Sequence, residues 1–180
     1  KIEICNYLER RFHLTYNYAN EVLVTVGGSE AIDIALRTMV NPGDEVLIPQ
    51  PSYVSYEPCA VLADAVPVII NLKAENEFRL TAQELRDAIT DKTKVLVLPF
   101  PNNPTGAIME KKDLEEIAEV ILEKDLFVIS DEIYSELTYK ADHVSIASIP
   151  GMQERTILIN GFSKSYAMTG WRLGYACGPK

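Results

Sequence analysis

Cysteine, histidine and basic charge are scarce in this sequence, and each shortage removes a class of function. Its 180 residues hold three cysteines, Cys5, Cys59 and Cys177, an odd number, widely spaced and without a Cys-x-x-Cys pair. That spacing supports neither a disulfide framework nor a zinc site and fits a reducing compartment. The two histidines, His13 and His143, are not paired with further ligand types, so no metal site is expected. Lysine and arginine number 17 against 26 aspartates and glutamates, a formal net charge of -9. Nucleic-acid binding draws on clustered basic side chains, so a polyanionic partner is not expected. No apolar stretch approaches the roughly 20 residues that a membrane span needs, and no charged-then-apolar leader opens the chain. A soluble, cytoplasmic protein is the expectation. A Gly-x-Gly-x-x-Gly turn after the first apolar run is also missing, which argues against a nicotinamide-dinucleotide site.

Apolar residues, in contrast, are plentiful: 47% of the chain is hydrophobic and 24% charged, enough for one sizeable core. They gather in seven short runs: Val22 to Val26, Val46 to Pro49, Val66 to Leu72, Val95 to Phe100, Leu126 to Ser130, Ile157 to Asn160 and Leu173 to Ala176. Most are unbroken rather than alternating, as strands buried on both faces of a mainly parallel sheet are. Helical stripes lie between several of them. Ile32, Ala35, Leu36, Met39 and Val40 share one helical face, as do Leu114, Ile117, Ala118, Ile121 and Leu122. Thr81 and Glu84 have capping-box spacing ahead of Leu85, Ala88 and Ile89. Ile4, Cys5, Leu8 and Phe12 suggest a further helix at the start. The pattern is βα units, hence an α/β fold of three layers, α/β/α, in which ligands bind at the carboxyl ends of the strands.

Polar signals follow those strand ends in turn. Gly27-Gly28-Ser29-Glu30 joins the first run to a helix, where close backbone approach and free amides attract a phosphate, although many such turns are only turns. Tyr53 and Tyr56 follow the second run; either could stack on a planar ring, and either could be an ordinary core or surface tyrosine. Asn103-Pro104-Thr105-Gly106 follows the fourth and is good turn chemistry by itself. Asp131 stands at the exit of the fifth, where a buried carboxylate is costly unless a cation or donor meets it. Tyr134 comes three residues later. Beyond the sixth run lies Ser163-Lys164, with Arg172 eight residues on. A lysine so placed can form an imine with an aldehyde whose phosphate the arginine holds.

In this order and spacing, the segments resemble class I/II aminotransferases, the aspartate aminotransferase-like pyridoxal-phosphate enzymes of fold type I, from about Val22 to Lys180. The resemblance implies their large domain, with a seven-stranded, mostly parallel sheet and one antiparallel strand. The run Leu173 to Ala176 would be that strand, since its connection from Lys164 has no crossover helix. It implies pyridoxal 5'-phosphate as cofactor and Lys164 as its Schiff-base anchor. Asp131 would then hold the ring nitrogen, Asn103 and Tyr134 the phenolic oxygen, and Tyr53 the ring face. Gly28, Ser29, Glu30, Ser163 and Arg172 would bind the phosphate. Glu132 would be structural or supporting. Many relatives carry Ser or Thr three residues before the lysine, where this chain has Gly161, so Ser163 and Ser29 are expected to supply that contact.

By the same resemblance, the reaction is transfer of an amino group from an L-amino acid to a 2-oxo acid by a homodimer, in amino acid metabolism. Lys164, Asp131 and Tyr134 would be the catalytic residues. The start at Lys1 and the stop at Gly178-Pro179-Lys180 suggest residues 1–180 are the cofactor-binding large domain of something longer, without the N-terminal segment and C-terminal small domain of the family. Two alternatives share the site: a carbon-sulfur lyase, and a non-catalytic sensor domain of a transcription regulator.

Overall fold

All seven runs are strands of one sheet. The computed structural model describes residues 1–139 and 141–180. The strands are β1 (Val22–Thr25), β2 (Glu45–Gln50), β3 (Val66–Asn71), β4 (Thr93–Leu98), β5 (Phe127–Asp131), β6 (Thr156–Gly161) and β7 (Gly174–Cys177). The sheet order is β1-β7-β6-β5-β4-β2-β3. β7 pairs antiparallel with both β1 and β6, while the other neighbours pair parallel. The expected antiparallel strand is therefore the last one, inserted between two strands that run together.

Among the described residues, five α-helices cover the sheet: α1 (Ile2–Phe12), α2 (Gly27–Met39), α3 (Tyr56–Leu62), α4 (Ala82–Ala88) and α5 (Lys111–Glu123). Strand alternation assigns them to faces. Val46, Ile48, Val95, Val97, Ile129 and Ile159 pack against Ala31, Ile32, Ala35 and Leu36 of α2 and Tyr56 and Ala60 of α3. On the other face, Leu47, Leu96, Leu98 and Val128 meet Leu85 of α4 and Leu114, Ile117 and Ile121 of α5. Leu158, Tyr175 and Cys177 meet Ile4, Leu8 and Phe12 of α1 there. The result is the expected α/β/α sandwich. The Thr81–Glu84 capping box opens α4. Helix α3 has no counterpart in the sequence reading; it holds Pro58 and is only seven residues long, too short for a periodic stripe. Among the described residues, no helix is long and apolar enough to cross a membrane, and no group of ligand side chains could hold a metal.

Candidate active site

At the carboxyl edge, the loops after β1, β2, β4, β5 and β6 enclose a cleft of about 260 Å³. Gly28 and Ser29 line it from the first turn of α2, and Tyr53 from the loop before α3. Asn103 reaches it from the loop after β4, and Asp131 and Tyr134 from the end of β5. Ser163, Lys164 and Arg172 complete it. Of the candidates named from the sequence, all but Glu30 line the cleft. The Glu30 carboxylate turns back to accept the Val26 N–H at 2.6 Å, capping its own helix, and does not line the cleft.

One end of the cleft is built for negative charge. The first turn of α2 leaves amides without intrahelical partners, and the helix dipole adds partial positive charge. Gly27 has φ +77°, and a β-carbon there would run into the Arg172 guanidinium, so glycine makes room for that cation beside the turn. Arg172 adopts a left-handed backbone, φ 50°, and donates through Nη1 to the Thr169 carbonyl at 3.0 Å. Gly161 is explained by the same crowding. A β-carbon there would stand 3.0 Å from Gly174 Cα and from the Leu173 carbonyl oxygen, so a side chain would require β7 to give by a few tenths of an ångström.

The other end presents a buried acid. Asp131 is 7% exposed; its Oδ2 accepts from the Tyr56 hydroxyl at 2.8 Å and its Oδ1 from the Ile133 N–H at 3.2 Å. No described cation hydrogen-bonds it. Burial pushes its pKa up, against the two donors and the Lys164 charge that pull it down. Burial, then the neighbouring Asp131 charge, pushes the Tyr56 hydroxyl well above the usual phenol range. Tyr56, which the sequence left open between a stacking aromatic and an ordinary tyrosine, is neither: it is a buried donor to the acid. Its ring meets Tyr53 edge-on, with centroids 5.7 Å apart, so α3 ties the aromatic wall to the acid. Lys164 Nζ lies 5.6 Å from the centroid of the Tyr134 ring.

A raised carboxyl pKa binds its proton more tightly in the folded state, so its contribution to stability is complete below the unfolded value near 3.8 and lost as pH rises through the folded one. Asp131→Asn is therefore expected to stabilise the cofactor-free protein at pH 7 by about 1 kcal/mol, the gain being limited because the amide must turn its NH2 toward one of two donors. Urea denaturation at pH 7 and below pH 4 checks this. The gain should vanish in acid, and a variant less stable than wild type at pH 7 would contradict it.

Comparison with known proteins gives one consistent picture. The sequence model of the family described as "Aminotransferase class I and II" matches residues 1–180. Aspartate aminotransferase of Pyrococcus abyssi is 48% identical over 177 residues, covering 98% of this chain and 46% of that protein. The crystal structure of aromatic aminotransferase from Pyrococcus horikoshii superposes with a TM-score of 0.96 at 47% identity, over 98% of this chain and 47% of that one. N-succinyldiaminopimelate aminotransferase from Mycobacterium tuberculosis gives 0.95 at 42% identity, over 98% and 46%. The chain spans less than half the length of these relatives.

Proposed function

The chain belongs to the class I and II aminotransferases, and from that premise we propose that residues 1–180 are the pyridoxal-phosphate-binding large domain of a longer, homodimeric enzyme that moves an amino group from an L-amino acid to a 2-oxo acid. The observation that carries this reading is a single cleft with an anion cradle at one end, a buried carboxylate at the other and Lys164 between the loops that bear them. The residues fit the group. Asp131 is a buried acceptor suited to a cationic N–H, and the α2 turn with Arg172 beside Gly27 gathers donors suited to a phosphate.

Pyridoxal 5'-phosphate, when bound, supplies an aldehyde that condenses with amines and a ring that takes up the electron pair left on the substrate's α-carbon. The rest falls to this chain. Gly28, Ser29 and Glu30 of the α2 turn, the Ser163 hydroxyl and the Arg172 guanidinium would hold the phosphate, and Tyr53 would face the ring. Asp131 keeps the ring nitrogen protonated, and Tyr56, donating to Asp131, keeps that carboxylate aimed. Asn103 and Tyr134 donate toward the phenolic oxygen. Lys164 would hold the aldehyde carbon through Nζ and, as a free amine once the substrate's own amine has replaced it there, would take the proton from the substrate's α-carbon as a general base. Fixing both ends of the ring orients one α-carbon bond for cleavage.

The test is chemical trapping in the full-length protein. Added pyridoxal phosphate should produce a yellow adduct that borohydride fixes, and peptide mapping should place the reduced group on Lys164. An adduct on another lysine, or none, would overturn the assignment.

A further inference from the structure

Glu132, directly after Asp131, is absent from the cleft and completely buried. Consecutive strand residues point to opposite faces, so the side chain beside the cleft's acid faces the α1 and α5 layer. There it meets donors from two separate segments. Its Oε1 accepts from Ser130 Oγ at 3.0 Å and Ser145 Oγ at 2.6 Å, and its Oε2 lies 2.8 Å from His143 Nε2. The His143 ring stands edge-on to Phe12 of α1, centroids 5.5 Å apart. The backbone is pinned as well. Glu132 N–H donates to the Ile159 carbonyl of β6 at 2.8 Å, and Ser135 N–H to the Glu132 carbonyl at 2.9 Å. Two residues past Tyr134, Glu136 accepts from Tyr7 at 2.7 Å and from Arg11 at 2.9 Å, both on α1.

We propose that Glu132 is a positioning residue for the ring end of the cofactor site: from the opposite face of the sheet it clamps the turn whose cleft-facing members include Asp131 and Tyr134, the residues that would meet the ring nitrogen and the phenolic oxygen. This inference rests on the cofactor reading above. A buried carboxylate contributes little net stability over an apolar replacement of similar shape, whereas it fixes the segments whose donors it collects. The turn is held at Glu132 and again at Glu136, both times with α1 behind it, so Asp131 and Tyr134 keep their separation while their own side chains face an open cleft. The phosphate end, built from the α2 turn and Arg172, shares none of these contacts.

That separation supplies the test, in the full-length protein. Glu132→Ala should weaken pyridoxal phosphate binding at least about tenfold while leaving the dissociation constant for inorganic phosphate unchanged. Glu132→Gln should stay within about threefold of wild type, because its oxygen can keep both serine hydroxyls while its amide donates to the other tautomer of His143. If the alanine variant does not fold, Ser145→Ala decides, with an expected loss of about threefold for pyridoxal phosphate only. Unchanged pyridoxal phosphate binding, or equal weakening of both ligands, would overturn the inference. Failure of the cofactor reading is a separate result, seen as a wild-type protein without a trapped Lys164 adduct.

Discussion

Lys164→Ala is expected to lower kcat by at least ~10⁵-fold in the full-length protein while changing its unfolding free energy by less than ~1 kcal/mol. The two halves of this expectation have different causes. Lys164 is exposed at the cleft, is in no ion pair among the described residues, and has the Tyr134 ring as its charged-group contact, so truncation removes little that holds the fold. Its proposed chemistry is another matter. A positioned base contributes roughly 10²–10⁴-fold, and an amine tethered to the reacting carbon adds the advantage of a pre-oriented, intramolecular exchange. Lys164→Arg should be equally inactive, since guanidinium keeps the charge and loses the free amine. A small primary amine such as methylamine should restore part of the lost proton transfer in Lys164→Ala and none in Lys164→Arg, where the side chain still fills the space. Steady-state kinetics with and without added amine measure this, and a Lys164→Ala enzyme retaining more than about 1% of wild-type kcat would sink the assignment.

How far such a site can be read ahead of the structure depends on whether its residues are set by chain neighbours or by packing. The strands were legible because burial on both faces leaves unbroken runs such as Val95 to Leu98. The direction of β7 followed from the short path after Lys164. The cleft members were legible for a related reason: Ser29, Asn103 and Ser163 each follow a strand, Asp131 ends one, and parallel strands open on one edge. What escaped was set across the sheet. Tyr56 lies 75 residues from Asp131, and no local pattern distinguishes a tyrosine donating to a buried acid from one in a core. The direction of the Glu30 carboxylate escaped as well: placed in the phosphate turn by family resemblance, it is turned back by the Val26 amide within its reach. The lateral order of the strands, with β7 between β1 and β6, depends on pairings far apart in sequence and was equally out of reach.

The same distant pairing makes one small residue decisive. Gly174 opens β7 and sits opposite Thr25 on one side and Gly161 on the other. A β-carbon there would lie 2.5 Å from the Gly27 carbonyl carbon and 2.6 Å from the Gly28 nitrogen, both backbone atoms of the turn that begins α2. A flexible side chain could swing aside, but a turn held by Thr25, whose hydroxyl donates to the Gly27 carbonyl at 2.8 Å, cannot move without dragging strand or helix. Gly174→Ala must therefore displace β7, the α2 turn, or both by a sizeable fraction of an ångström. Overpacking of this kind costs ~3 kcal/mol or more where backbone has to give, set against the 5–15 kcal/mol that a domain usually has in total. Even the folded fraction is expected to suffer, because shifting the anion-binding turn by about 1 Å costs on the order of 100-fold in function. Gly170→Ala is the matched control: nothing stands within 4 Å of its β-carbon and its backbone is not in the left-handed region. Urea unfolding with inorganic phosphate titration on both variants should show a large loss of stability and phosphate affinity for Gly174→Ala and neither for Gly170→Ala. A Gly174→Ala protein within ~1 kcal/mol of wild type would mean that the turn yields freely, and that the close packing of Gly27 against β7 does not define the phosphate seat.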